Sequence, residues 1–333
     1  MAMLPLRNKT LDFHSDLMQS PGTMQVIEFV VPLFNERESL LRLHSQLLEI
    51  PLSLDYTRRF IYVNDGSTDG TQRILEELAT TQKQVTVIEL SRNFGHQAAL
   101  SAGLDAATGD IVISLDGDGQ HPPSLVPEML KLHASGCDIV QARRIDGKSS
   151  AGFAKRLTSR LFYWLLSSVG EVEISEGSSD YRLLSRRALD ALRRLPEYHR
   201  FFRGMVVWIG FPSAVIPYEP ARRIEGKSKY TYRKMFRLAA DGLFSFSLMP
   251  LRIGLLLGMG FILVAGVELI YVASFWLTGL RDQLVPGWSS LILILTLSSA
   301  INMILIGILG IYLGMIFREV KRRPVYLVRS KTP

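Results

Sequence analysis

The chain has 333 residues, 47% of them apolar and 21% charged, with a formal net charge of +7, a sequence pI near 9.5 and a mean hydropathy of +0.18. That length accommodates one large domain plus membrane segments, and a single cysteine, Cys137, excludes an intramolecular disulfide framework. The basic balance fits nucleic acid, anionic lipid or a phosphorylated substrate, and long apolar spans near the C-terminus favour the last two.

Residues 1–23 alternate polar and apolar positions and carry Arg7, Lys9, Asp12 and Asp16 around no apolar centre. They read as a flexible N-terminal extension rather than a signal peptide, with Met24 near the start of the fold. From there the pattern alternates. Val26–Phe34 reads as a strand, Glu36–Leu48 as a helix, Arg59–Asn64 as a strand, and Ser67–Leu78 as a helix opening on Thr68 and Asp69. Gln84–Leu90 follows as a strand, Gly95–Ala107 as a helix, Ile111–Leu115 as a strand, Ser124–Ala134 as a helix and Asp138–Ala142 as a strand. Such alternation with short loops predicts an α/β layer on a mostly parallel sheet, in a domain over 24–229. Ligands of such sheets bind at the carboxyl ends of the strands. Four polar clusters fall on that edge: Asn35-Glu36, Asp65-Gly66-Ser67, Asp116 to Gln120, and Arg143-Arg144. Cys137 reads as a buried structural thiol at a strand start.

Beyond residue 150 the character changes. Residues 151–169 put Ala154, Leu157, Leu161 and Leu165 on one stripe and Arg156 and Arg160 on another. Residues 230–248 put Tyr232, Met235, Phe236, Ala239, Leu243 and Phe246 on one face, with Arg233, Lys234, Arg237 and Asp241 opposite. Basic amphipathic helices of this kind suit a bilayer interface, and packing on the sheet is the other use of such a face. Segments 250–280 and 290–317 are each long enough to span a bilayer, and their short link makes a hairpin. Arg252 before the first and Lys321-Arg322-Arg323 after the second place the α/β domain, both termini and the basic tail 318–333 in the cytoplasm. Gly254/Gly258 and Gly310/Gly314 allow close helix packing and hence a homo-oligomer through the membrane helices. Glu268, the one carboxylate within a span, is expected to meet a polar partner such as Asn302.

The chemistry concentrates in Asp116-Gly-Asp118-Gly-Gln120-His121-Pro122-Pro123, which follows an apolar strand. Two carboxylates spaced i, i+2 at a strand end turn toward one hard cation, Mg2+ or Mn2+, that keeps positions for phosphate oxygens, and Gln120 continues the i+2 spacing. At the ends of the first two strands, Phe34, Glu36 and free backbone groups suit a nucleobase edge and ribose. Asp65 suits a base N–H, because capping falls more naturally to Ser67 or Asp69. Cations gather at Arg143, Arg144, Lys155 and Arg156, then at Arg222, Arg223, Lys227 and Lys229. The run Arg223-Ile-Glu-Gly226-Lys-Ser228-Lys229 suits an oxyanion directly before the interfacial helix, either a captured lipid phosphate or anionic lipid in general. Gly177-Ser-Ser-Asp180 reads as a polar turn before an apolar strand, with Asp180 placed to orient a nucleophile or to meet a sugar hydroxyl.

At these residues the chain resembles the family 2 glycosyltransferases of GT-A fold, and more narrowly the polyprenyl-phosphate glycosyltransferases, the group of dolichyl-phosphate mannose synthase and the bacterial GtrB-type glucosyltransferases. The resemblance covers about 26–317. It rests on Val-Pro-Leu-Phe-Asn-Glu36, Asn-Asp-Gly-Ser67, Leu-Ser-Arg-Asn-Phe-Gly-His96, Leu-Asp-Gly-Asp-Gly-Gln-His-Pro-Pro123, Gly-Ser-Ser-Asp-Tyr-Arg-Leu183 and Arg-x-x-Gly-x-Ser-Lys229. It implies an NDP-sugar donor, weighted toward UDP-glucose, a divalent metal, an inverting transfer and a polyprenyl-phosphate acceptor, weighted toward undecaprenyl. Pro32, Phe34, Glu36 and Asp65 would then hold the base. Asp116 and Asp118 would hold ribose, diphosphate and metal, with Gln120 in the metal shell. Arg143, Lys155, Arg156, Arg222, Arg223 and Lys229 would hold the acceptor phosphate, and Asp180 joins Asp116 and Asp118 as the catalytic set. Ser179 stands where the family motif often carries Gly or Ala.

A phosphate monoester acceptor carries about −1.5 to −2 charge at neutral pH, so the reaction needs positioning and charge neutralisation more than a strong base. His96 and His121 are therefore not expected to be bases. Two other classes set the contrast. A processive polysaccharide synthase needs more spans and a Gln-x-x-Arg-Trp motif. A non-enzymatic lipid-phosphate-binding membrane module has no use for paired acids at a strand end. A nucleic-acid binder would not cluster its cations beside membrane helices with an acidic edge at the nucleotide position.

Overall fold

The computed structural model describes residues 24–145, 178–198, 200–220 and 287–332, with isolated positions between 256 and 277. The strands are β1 (Gln25–Leu33), β2 (Tyr56–Asn64), β3 (Val85–Leu90), β4 (Ile111–Ser114), β5 (Ile139–Arg144), β6 (Ser178–Ser185), β7 (Ser213–Tyr218) and β8 (Val328–Lys331). The helices are α1 (Arg37–Leu48), α2 (Thr71–Thr81), α3 (His96–Ala106), α4 (Val126–Ala134, preceded by a 3-10 turn), α5 (Arg186–Arg193), α6 (Phe202–Trp208) and α7 (Trp288–Lys321). One eight-stranded sheet runs in the order β7-β5-β6-β4-β1-β2-β3-β8.

β1 lies parallel between β2 and β4, and β2 is parallel to β3. β6 is antiparallel to both β4 and β5, so β5 points the same way as β4. The carboxyl ends of β1, β2, β4 and β5 thus share one edge, as the alternation predicts. β1 is buried on both faces, which is why it reads as an apolar run, broken by Glu28, whose buried carboxylate accepts from the Thr108 and Gly109 N–H groups. Ile27, Phe29 and Val31 pack with Leu40, Leu43, Leu75 and Met129 on one side. Val30, Ile61 and Val63 pack with Leu100, Leu104, Leu189 and Met205 on the other. Gly103 lets α3 settle closely: a Cβ there would stand 2.3 Å from Val30 Cγ1.

Pro32 sits in this central strand without loss. Val30 carbonyl accepts from Leu115, so the even residues of β1 face β4, whose ladder ends at Ser114. The missing Pro32 N–H falls just past that end, where pairing stops and the loop after β4 departs.

Several expectations are corrected. α2 begins at Thr71, not Ser67, because the preceding polar residues fold into a loop of their own. Ser67 N–H donates to Asn64 Oδ1 at 2.9 Å, and Asp69 Oδ1 accepts from Thr71 N–H at 3.0 Å. Ser178 to Asp180 form the start of β6 rather than a turn: Ser178 pairs with Arg143 of β5, and the Ser114 hydroxyl of β4 donates to the Asp180 carbonyl at 2.6 Å. Cys137 is half-buried against the core just before β5.

The tail is the largest difference. α7 runs 34 residues, about 51 Å at 1.5 Å per residue. Its part Leu297–Lys321 has hydropathy 2.3 with none of its residues buried, and by length and composition it is long enough to cross a membrane. The basic tail then does not trail away. Six residues after Lys321, Leu327 accepts from Ser91 N–H at 2.9 Å, and Val328–Lys331 pairs antiparallel with β3. Arg329 meets Glu89 at 3.0 Å, Tyr326 hydroxyl donates to Asp105 at 3.0 Å, and Glu319 on α7 accepts from Tyr198 N–H at 2.9 Å. The positions described between Leu256 and Leu277 are helical, while the two interfacial segments, residues 278–286 and Glu268 lie outside the described residues. Asn302 is exposed on α7.

Candidate active site

Asp116 and Asp118 lie in the loop that leaves β4 beneath the end of β1. Gly117 between them fits because a Cβ would stand 2.3 Å from Leu33 Cδ2, a side chain only 1% exposed. Gly119 takes a positive φ of 72°, which turns the chain so that Asp118 Oδ1 accepts from Gln120 N–H at 3.0 Å. Asp116 N–H donates to His121 Nδ1 at 2.9 Å, and the His121 ring stacks on Tyr181 with centroids 5.0 Å apart. His121 is therefore a brace under Asp116. Asp116 Oδ1 is buried and makes no hydrogen bond within the described residues. A buried carboxylate oxygen with no hydrogen bond, though His96 Nε2 stands 3.4 Å away, fits a cation, and no cluster of three or more His, Cys, Asp or Glu forms a closed cage among the described residues. Two carboxylates that leave room for phosphate oxygens and water suit a hard cation such as Mg2+ or Mn2+ better than a Zn2+ held wholly by His and Cys. Gln120 is buried, with its Oε1 accepting from Arg144 at 3.1 Å, so it links the acidic loop to the end of β5.

Around Asp180 the structure builds a charge network that the sequence did not reveal. Asp180 is 3% exposed. Arg182 Nη2 donates to its Oδ1 at 2.8 Å, Gln97 Nε2 donates to its Oδ2 at 3.1 Å, and Arg203 Nη2 lies 3.5 Å from Oδ2. His96 Nε2 stands 3.4 Å from both Asp116 Oδ1 and Asp180 Oδ2 and so joins the two acids. Burial opposes ionisation of Asp180, but Arg203, His96 and Arg182 outweigh it and hold the carboxyl well below its ordinary range. His96 keeps 42% of its side chain exposed; the water it loses lowers it, yet Asp116 and Asp180 prevail and raise it above its ordinary range. The residues missed from sequence are His96 as a bridge, Gln97 and Arg203. Asp180 and Arg182 carried a legible signal: i, i+2 on one strand puts both side chains on one face.

Asp65 carries structural bonds that elimination from capping did not foresee. Its two oxygens accept from Phe94 N–H at 2.7 Å and Gly95 N–H at 2.9 Å, and these bonds present the next residue, His96, at the head of α3. Its burial raises the carboxyl against the pull of those two bonds. Asn35, at φ 55°, accepts from Thr68 N–H, and its own N–H donates to Ser67, so the loops after β1 and β2 are sewn together. Glu36 accepts from the Ser39 hydroxyl at 2.9 Å, Phe34 is 38% exposed, and Pro32 is buried in β1. Ser179 hydroxyl donates to the Ala142 carbonyl at 2.7 Å, a β5–β6 tie that gives the unusual serine a structural use. Arg143 lies exposed at the end of β5. Lys155, Arg156, Arg222, Arg223 and Lys229 lie outside the described residues.

The structure thus brings Asp116, Asp118, Gln120, Asp180 and the β5 arginines to one edge, beside the β1 and β2 ends that carry Phe34, Glu36 and Asp65. Residues 28–193 match the family model described as Glycosyl transferase family 2. An uncharacterized glycosyltransferase of Synechocystis is 36% identical over 303 residues, 91% of this chain and 94% of that protein. A prophage bactoprenol glucosyl transferase homolog of Escherichia coli is 36% identical, over 91% of this chain and 98% of the relative. The bactoprenol glucosyl transferase of Shigella phage SfX is 35% identical over 92% and 99%. Among solved structures, a Pyrobaculum calidifontis mannosyltransferase in complex with GDP-Man and Mn2+ is 17% identical with a TM-score of 0.45, over 88% of each chain.

Proposed function

The chain belongs to glycosyltransferase family 2 and is a glycosyltransferase of the bactoprenol glucosyl transferase group, and on that premise we propose that it transfers a hexose, glucose in our reading, from UDP-glucose to undecaprenyl phosphate with inversion at the anomeric carbon. The products are a lipid-linked sugar phosphate and UDP, formed at the cytoplasmic face of the membrane. The relatives named as bactoprenol glucosyl transferases, matched over nearly their whole length, support the lipid acceptor.

The observation that carries the membrane half of this reading is the tail. Only five residues separate the end of apolar α7 from Leu327, which bonds Ser91 at the carboxyl end of β3. The six steps from Lys321 to Leu327 reach at most about 22 Å, so the edge holding Asp116 and Asp180 belongs to the side of the sheet nearest the end of the membrane helix. An acceptor whose phosphate is tethered to the bilayer is then presented to the edge where the donor binds. The proposal includes a two-helix hairpin with both termini cytoplasmic and self-association through the membrane helices.

In this mechanism Asp116 and Asp118, with Gln120 behind them, would hold Mg2+ or Mn2+, which supplies charge neutralisation to the departing diphosphate. Phe34, Glu36, Pro32 and Asp65 frame the nucleoside at the β1 and β2 ends. Asp116 is set by His121 beneath it and His96 beside it, so the acidic loop is rigid before the donor arrives. Arg143 and the cations of 155–156 and 222–229 receive the acceptor phosphate. That phosphate already carries its nucleophilic charge, so no residue need remove a proton. A single in-line attack converts an α-linked donor sugar to a β-linked product.

The test is a donor panel. Purified full chain in detergent receives undecaprenyl phosphate, Mg2+ or Mn2+ and radiolabelled UDP- or GDP-sugars. Label entering the organic phase with UDP-glucose supports the proposal; transfer from another donor alone replaces the sugar; no lipid-phase label with any donor refutes the acceptor.

A further inference from the structure

The segment that joins α5 to α6 is held at successive levels, and each level touches a different part of the molecule. First, Tyr198 N–H donates to Glu319 Oε1 at 2.9 Å, so the segment meets the last turn of α7. Next, Arg200 Nη1 reaches both oxygens of Asp105, at 3.2 and 3.1 Å, and the Tyr326 hydroxyl donates to the same carboxylate at 3.0 Å. Then Phe202 N–H donates to Gln97 Oε1 at 3.4 Å, and the Phe202 carbonyl accepts from Arg182 at 3.0 Å. Gln97 and Arg182 are also the residues that hold Asp180, at 3.1 and 2.8 Å. The backbone of Phe202 is therefore bracketed by the wall of the site.

Helix geometry brings Asp105 to this place. It stands about two turns beyond Gln97 on α3, and positions i, i+4 and i+8 share one helix face. The face that offers Gln97 to Asp180 at the head of α3 offers Asp105 to the tail near its end. Tyr326 arrives there because α7 stops sharply: Arg322 takes a positive φ of 48° and turns the chain, and Tyr326 follows five residues after Lys321. The Tyr326 ring packs on the core cluster that α3 and α6 share. Burial and the Asp105 charge push its phenol up to about 12, so it stays a donor at neutral pH. Arg200 is 15% and Asp105 28% exposed, which shields the pair from the screening that weakens a surface ion pair.

These bonds tie the site to the membrane helix. Leu297–Lys321 is 25 residues, about 37 Å at 1.5 Å per residue, against a hydrocarbon core of about 30 Å. Glu319, two residues before its end, then lies at headgroup level rather than in the core, where a carboxylate is costly. A lipid acceptor offers its phosphate at one height only, the headgroup plane, because its chain stays in the bilayer. A site swinging loosely on the end of a helix would meet that phosphate in only some of its positions. The apparent affinity falls by the fraction of time the site is aligned.

We propose that Tyr326, Asp105 and Arg200 are positioning residues: they clamp the segment leading to Phe202 onto the chain that leaves the membrane helix, and so hold the Asp180 wall at the height of the headgroup phosphate. None of the three touches substrate; they act through Gln97 and Arg182. The inference rests on the lipid-phosphate transfer and the membrane-spanning α7 proposed above.

The test uses the full chain in liposomes carrying undecaprenyl phosphate, with the donor found in the panel. Y326F removes one hydroxyl and keeps the ring in its packing, and D105A removes the shared acceptor. Y326F is expected to raise the acceptor KM about 3–10-fold and D105A about 10–100-fold. The kcat at saturating acceptor, and the affinity for the nucleotide diphosphate by calorimetry, are expected to change less than about threefold, which a general loss of structure would not allow. Time-resolved energy transfer from a fluorescent nucleotide diphosphate in the site to a dye on the lipid headgroups is expected to give a narrow spread of distances in the wild type and a broadened one in the variants. If D105A does not fold, Y326F carries the test. An unchanged acceptor KM overturns the inference. So does a rise matched by an equal loss of nucleotide affinity, since the bonds would then serve the fold of the site as a whole, and so does an unbroadened spread of distances. Absence of wild-type transfer overturns the parent reading as well, whereas wild-type transfer with unshifted variants overturns the clamp alone.

Discussion

Replacing Gly117 with alanine tests whether the acidic loop is seated by its contact with β1. The new Cβ would stand 2.3 Å from Leu33 Cδ2, 3.4 Å from the Pro32 carbonyl oxygen and 3.6 Å from Glu36 Cγ. Carbon atoms rest about 3.5–4.0 Å apart, so one side must yield by more than about 1 Å. Leu33 has nowhere to go, being 1% exposed within the main core. If the core yields, overpacking costs about 1–3 kcal/mol, or roughly 2–12 °C in Tm for a domain of this size. If the loop yields instead, the Asp116 and Asp118 carboxylates shift by about that ångström, and misplacement on this scale costs about 10²-fold in rate. The assay pairs a thermal melt with metal-dependent transfer, titrating Mg2+ and Mn2+. Either the melt falls or the rate falls with a weakened metal response. A G117A variant with wild-type Tm, rate and metal requirement would refute the claim that this contact sets the loop.

Other expectations follow from the same geometry. D118A, or chelation of divalent metal from the wild type, is expected to reduce transfer by about 10²–10³-fold or more, with added Mg2+ or Mn2+ restoring only the chelated enzyme; transfer that survives both would remove the metal from the reading. H121A takes away the acceptor for Asp116 N–H and the ring stacked on Tyr181, so transfer should fall and be regained in part at higher metal concentration. A variant dead at saturating metal with donor bound would instead make His121 a proton-transfer group. Deleting residues 324–333 removes the strand on β3 with its bonds at Ser91, Val87 and Glu89. At about 0.5–1.5 kcal/mol for each of these four bonds the loss is about 2–6 kcal/mol, read as a drop of roughly 4–24 °C in Tm with aggregation through the bared edge. An unchanged melt would mean that the tail does not hold the sheet.

The first five strands and four helices were legible because their residues obey local rules. Apart from Glu28, Val26 to Val31 is apolar on both faces, as suits a central parallel strand, and α1 to α4 show the spacing of helices with one buried side. The acidic loop was legible for the same reason: polar residues that break an apolar strand abruptly have few structural uses. Ser178 to Asp180 was not, since glycine and serines before an acid look like a turn. Their strand conformation is imposed from outside by β4 and β5, and the buried Asp180–Arg182 pair runs against the hydrophobic pattern. Asp65 appeared free because its partners, the N–H groups of Phe94 and Gly95, lie about 30 residues away in sequence and belong to backbone, which carries no side-chain signature. The strand Val328–Lys331 has no pattern of its own; all four residues are exposed, and only the unpaired edge of β3 makes them a strand. Arg203 is one cation among many in the chain, and its distinction lies in which carboxylate it meets.

The central claim is transfer of one hexose to a lipid phosphate, and mass spectrometry of the reaction products tests it most directly. Purified full chain, undecaprenyl phosphate, UDP-glucose and Mg2+ or Mn2+ should yield a lipid carrying one added hexose on its phosphate, with UDP released in equal amount. Neither product should appear with D118A. A polymer of hexoses, or UDP and free sugar with the lipid unchanged, would contradict the account.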